Sequence, residues 1–168
     1  MMKLVGGGRR PSKMIIDCAV ETKWWSDPAH LEELATSTIN GAVRALDHAL
    51  DADCEVSLLF TDDAQVQQLN EQWRQIDKPT NVLSFAAREA GGPATPALGD
   101  IVLARETIER EAAQQNKTPD DHLIHLIVHG FLHLLGFDHE TDEEADEMEA
   151  VEIKILSQLN IADPYAEA

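Results

Sequence analysis

Five of the seven histidines of this 168-residue chain fall within the eighteen residues His122–His139, HLIHLIVHGFLHLLGFDH. The residues between them are almost all apolar, as in a buried helix. His129 and His133 are four apart, one helical turn, so their imidazoles leave the same face. Gly136 follows three residues later, and glycine is what a helix needs to stop in a left-handed turn. Such a turn swings the chain back and brings His139 toward the other two. Three imidazoles at about 2.0–2.1 Å from one ion, with a position left open, describe a catalytic zinc site, whereas structural sites are usually closed by four protein ligands. The motif therefore predicts one zinc per chain, held by His129, His133 and His139. His125 lies four residues before His129 on the same face; as a fourth ligand it would close the site, so it is read as a supporting or packing residue. His122, near the helix start, is expected to be solvated. Asp138 either orients an imidazole through its free N–H or caps the turn.

The rest of the chain reads as short alternating elements. Met14–Val20 and Cys54–Phe60 are β-branched, apolar strands, and Asn81–Phe85 and Leu98–Leu103 are two more. Helical spacing runs through His30–Ala49. Thr61, Asp62 and Asp63 offer caps for a helix ending near Arg74. Arg105–Gln115 is a polar helix, Asp120–Leu135 carries the histidines, and Glu140–Leu159 is amphipathic. In the last, Ala145, Met148, Val151, Ile155 and Leu159 lie on one face. The Pro/Gly-rich stretch Ala90–Pro96 is a loop. The order β-α-β-α-β-β-α-α-α predicts an α+β single domain over residues 14–165, with a small mixed four-stranded sheet and about five helices. Residues 1–13, with Gly6-Gly7-Gly8, read as a disordered leader.

No apolar run is long enough to span a membrane, and the first residues lack the apolar core of a secretory signal. Cys18 and Cys54 form no CxxC pair, which with the missing export signal points to the cytoplasm. The net charge of −18 opposes general nucleic-acid binding, because a cationic surface is what releases counterions. The charge is uneven, however. Residues 74–117 hold six basic and six acidic residues, whereas Glu140–Glu152 holds eight acidic residues in thirteen and no basic one. That block is read as a solvated helix face. Any RNA contact must then use local cations: Arg74, Lys78, Arg88 and the leader's Arg9, Arg10 and Lys13. Read from the residues alone, Arg74 is a surface partner of Asp77, and Thr80 and Ser84 bond the strand.

The spacing H-x3-H-x2-G-x2-H is that of the metzincin protease helix, where glutamate follows the first histidine as general base. Here that position is Gly130. HGFLHLLGFDH (His129–His139) resembles the signature of the YbeY-type bacterial endoribonucleases. WRQIDKPTNVLSF (Trp73–Phe85), LGDI (Leu98–Ile101), the acidic segment Glu140–Glu152 and the terminal DPY (Asp163–Tyr165) resemble further blocks of that family. Phe137 stands where the family often has Tyr, and Ala86 where Pro is usual. The resemblance implies a zinc-dependent, single-strand-specific endoribonuclease acting in 16S rRNA 3′-end maturation and ribosome quality control. It implies single-stranded rRNA and ribosomal small-subunit proteins as partners, the three histidines as ligands, and Arg74 as a catalytic residue. Two other readings share the motif: a metal-dependent peptidase or amidohydrolase, and a non-catalytic ribosome-associated binding protein.

Overall fold

A computed structural model of the chain describes residues 14–21, 23, 25–46, 53–88 and 96–166. The leader, the end of the first predicted helix and most of the Pro/Gly-rich loop lie outside the described residues. The elements follow the expected order: β1 (Met14–Val20), α1 (Pro28–Ala45), β2 (Cys54–Thr61), α2 (Asp63–Arg74), β3 (Val82–Ala86), β4 (Ala97–Ala104), α3 (Arg105–Gln114), α4 (Pro119–Leu134) and α5 (Asp142–Gln158). Helix α1 begins two residues before the apolar spacing does. Asp27 accepts a hydrogen bond from the His30 N–H, and Pro28 occupies the first turn, where its missing donor costs nothing.

The strands lie in the order β1-β2-β4-β3; β1, β2 and β4 run parallel, and β3 is an antiparallel edge strand. Side chains alternate between the two faces. One face presents Val56, Leu58, Phe60, Ile101 and Leu103, which are buried in one core with Ile39 of α1 and Ile127 and Phe131 of α4. On the other face, Val66 and Leu69 of α2 pack on Leu59, Val102 and Leu83. The neighbouring registered row on that face is Asp17, Ser57, Asp100 and Phe85.

Two features of α4 and α5 set the geometry of the histidines. Helix α4 crosses the sheet closely at Gly130. A Cβ there would stand 3.0 Å from both the Ile101 Cγ2 and the Ser84 Oγ. Helix α5 starts in a capping box formed by Thr141 and Glu144 and buries Met148, Ile155 and Leu156. Ile155→Asp should unfold the domain, because an unpaired charge in this fully buried position costs several kcal/mol. Glu143→Gln, on the exposed face, should leave the urea midpoint nearly unchanged. A large loss from the second change would show that α5 is rotated about its axis, with Glu143 turned inward.

Candidate metal centre

The end of α4 is a complete Schellman turn. Gly136 has φ 100°, its N–H donates to the His133 carbonyl, and the Phe137 N–H donates to the Leu132 carbonyl, both at 3.1 Å. The chain therefore reverses, and His139 arrives beside the two helix histidines. One ligating nitrogen from each of His129, His133 and His139 lies within 4.8 Å of the others. The Nε2 atoms of His129 and His133 are 3.0 Å apart, close to the roughly 3.3 Å edge of a tetrahedral zinc shell.

The tautomers fit a metal as well. His129 Nδ1 lies 2.5 Å from the Glu152 Oε1, and His133 Nδ1 lies 3.0 Å from the Phe137 carbonyl. Both partners only accept, so each Nδ1 carries the proton and each Nε2 turns a lone pair inward. Burial, followed by the neighbouring His129, lowers the His133 pKa and keeps that ring in the neutral, ligating form. The three histidines could thus hold a metal ion.

Glu152 is the residue that the sequence reading missed. The sequence places it in the solvated acidic face, but it is fully buried. Its phase is the signal: it falls four residues after Met148 and three before Ile155, on the apolar side of α5. Besides His129, its carboxylate accepts from the His125 Nε2 at 3.1 Å and the Tyr165 hydroxyl at 2.5 Å. Burial would raise its pKa, but hydrogen bonds from His125, His129 and Tyr165 outweigh that and hold it at about 2. The buried carboxylate is therefore an ion, and it spends that charge on orienting imidazoles. His125 accordingly sits beside the triad as a partner of Glu152.

His122 is also corrected: it is 2% exposed, not solvated. Helix α3 packs on α4 and brings the Glu111 Oε1 to 3.3 Å from its Nε2. Burial lowers its pKa despite that carboxylate. Asp138 caps the turn, accepting from the His139 N–H at 2.8 Å; the orienting carboxylate is Glu152.

The triad opens into a cavity of about 530 Å³ that Arg74, Asn81 and Ser84 also line. Arg74 closes the last turn of α2, where Gln75 adopts a left-handed conformation at φ 58°. Its Nη2 donates to the Ser84 carbonyl at 2.9 Å, and its guanidinium lies 5.8 Å from the centre of the Phe85 ring. Among the described residues it makes no ion pair with Asp77, which instead accepts from the Gln67 side chain. The Ser84 hydroxyl donates to the Gly130 carbonyl at 3.1 Å, tying β3 to α4. Lys78 is exposed and does not line this cavity. Arg88 points its Nη2 to the Cys54 Sγ at 3.6 Å. The structure thus brings together Arg74 and the three histidines, and leaves Lys78 and Arg88 elsewhere. The leader cations Arg9, Arg10 and Lys13 lie outside the described residues.

Residues 19–160 match the family described as Endoribonuclease YbeY. The chain is 50% identical to the Endoribonuclease YbeY of Allorhizobium ampelinum over 167 residues, 92% of this chain and 96% of that protein. Over 158 residues it is 49% identical to the protein of the same name from Agrobacterium fabrum, covering 90% and 94% of the two chains. The solution structure of TM1509 from Thermotoga maritima superposes with a TM-score of 0.53 over 92% of this chain and 96% of that one, at 20% identity, a likeness of fold.

Proposed function

This chain belongs to the YbeY endoribonuclease family, and on that premise we propose that it cuts single-stranded RNA with zinc, in 16S rRNA 3′-end maturation and ribosome quality control. RNA is the substrate that the family assigns. The observation that carries the finer reading is that Arg74 and all three imidazoles face one cavity. Zinc bound there would polarise a phosphoryl oxygen and lower the pKa of its water to about 7.

The remaining work falls to the chain's own groups. His129, His133 and His139 hold the ion, and Glu152 and the Phe137 carbonyl fix two of the rings. Arg74 meets the charge that builds on the phosphate, and its planar fork can bind two phosphate oxygens at once. The residue after the first ligand histidine is Gly130, pressed against side chains of β3 and β4, so no general-base carboxylate follows His129 in the chain. That supports phosphodiester over peptide cleavage. We place the working unit in residues 14–165, in the cytoplasm and beside ribosomal small-subunit proteins. No helix among the described residues is long and apolar enough to cross a membrane.

The test is cleavage of labelled single-stranded and duplex RNA by the purified chain before and after chelation. Single strands should be cut, duplex spared, and activity lost on chelation and restored by Zn²⁺. Cleavage that survives complete metal removal would overturn the zinc reading; equal cutting of duplex would overturn the strand preference. Accumulation of unprocessed 16S rRNA in cells carrying only a His133→Ala protein would support the maturation role.

A further inference from the structure

Arg74 stands between two cavities. On one side is the metal cleft. On the other, beyond the β3 edge, α2 is only twelve residues long and leaves part of the second sheet face open. That opening is a cavity of about 780 Å³. Asp17, Ser57, Asp100 and Phe85, one residue from each strand, form its floor, and Trp73 stands on its α2 side. Ser84 lines both cavities, and Arg74 is bonded to its carbonyl.

Two features of this groove stand open to solvent. Trp73 is 62% exposed; it meets Phe85 edge-on at 6.4 Å, so most of the indole stays open. On the floor, Asp100 lies next to Phe85 in register and Asp17 lies two strands farther along the row; both are exposed, and no ion pair with a cation joins either one among the described residues. An aromatic ring left in water beside a phosphate-binding guanidinium is a stacking platform for a base. The Asp100 carboxylate beside Phe85 can accept from the amino or imino N–H groups of a base, and the acidic floor repels phosphate.

We infer that this groove is a subsite for an unpaired nucleobase of the RNA strand whose phosphate lies at Arg74. The strand enters base first, stacks on Trp73, and leaves its backbone along the β3 edge. The inference rests on the RNA-cutting reading and adds the path of the strand. It also accounts for how a chain of net charge −18 holds RNA: through a base and one guanidinium rather than many phosphate contacts. A basic peptide would suit the carboxylates, but it would not explain why the open indole adjoins Arg74.

The experiment compares the zinc-loaded full chain with its Trp73→Ala and Trp73→Phe variants. Affinity for a short single-stranded RNA is read by anisotropy at two salt concentrations, beside metal content and thermal midpoint. Trp73→Ala should weaken binding about tenfold, the loss of one stacked base, and Trp73→Phe should restore most of it. Metal content, midpoint and salt slope should not move, and an oligonucleotide made wholly of abasic sites should bind all three proteins alike. Affinity within twofold of wild type in Trp73→Ala overturns the subsite. So does a salt slope reduced by about one phosphate contact, which would place the effect at Arg74. If Trp73→Ala keeps RNA but loses a lysine-leucine peptide that wild type binds, the groove belongs to a protein partner. A wild-type protein that neither binds nor cuts RNA overturns the RNA reading itself, and the subsite with it.

Discussion

Alanine in place of His129, His133 or His139 should each strip stoichiometric zinc from the protein and reduce RNA cleavage to background. Three ligands leave no redundancy: a pair of imidazoles binds far more weakly, and the lost ring cannot be replaced by its neighbours. His125 lies next to the triad but spends its Nε2 on Glu152. His125→Ala should therefore keep one zinc per chain, with affinity lowered by about tenfold, the usual effect of disturbing a group behind a ligand. Elemental analysis gives the stoichiometry and chelator competition the affinity. Zinc should also raise the thermal midpoint of the wild type and of His125→Ala, since an ion that binds only the native state adds to its stability. The three ligand variants should show no such rise. If His125→Ala loses zinc as completely as they do, the site has four histidine ligands and no open position.

Arg74→Ala should lower the cleavage rate by about a hundredfold or more, the loss typical of one electrostatic donor in an active site. Zinc content should stay at wild-type level, because the guanidinium is not a ligand. Stability should change little, because the side chain is exposed and, among the described residues, is held by a hydrogen bond to the Ser84 carbonyl and a contact with the Phe85 ring. Arg74→Lys should recover part of the rate at most, since an ammonium can neither bond the carbonyl and face the phosphate as a fork does nor stack on Phe85. Rates and metal content measured on the same samples separate this outcome from a damaged site. Full activity in Arg74→Ala would leave the cleft's chemistry to the histidines and their ion.

The order of elements and the histidine spacing were legible because both are local. Periodicity marks a helix wherever it packs, and Gly136 announces the turn that returns His139. What was not legible depends on which element lies against which. Glu152 reads as one more acid in an acidic stretch until α5 is laid against α4; then its carboxylate falls on the His129 Nδ1. His122 reads as a polar residue near a helix start until α3 covers it and supplies Glu111. Arg74 has an obvious local partner in Asp77, and the competing one, a backbone carbonyl ten residues on, exists only once β3 is the edge of the sheet. The sheet order β1-β2-β4-β3 is likewise invisible, because nothing in the β3 sequence says that it turns back along β4 instead of continuing the parallel run.

The crossing at Gly130 sets the gauge of the whole cleft. With only hydrogen at that position, α4 lies close enough to the sheet that a Cβ would crowd the Ile101, Ser84 and Val82 side chains, and residues of the edge strand line the cleft opposite the histidines. The placing of the imidazoles across from Arg74 thus depends on a close packing that glycine permits. A protease-like Gly130→Glu change would not graft a base onto this scaffold. The new side chain would wedge against Ile101 and Ser84, and is expected to push the helix off the sheet and carry His129 and His133 away from Arg74. On the proposed reading, the chemistry of the cleft is tied to that packing, and Gly130→Glu should disrupt the cleft rather than supply a peptidase's base.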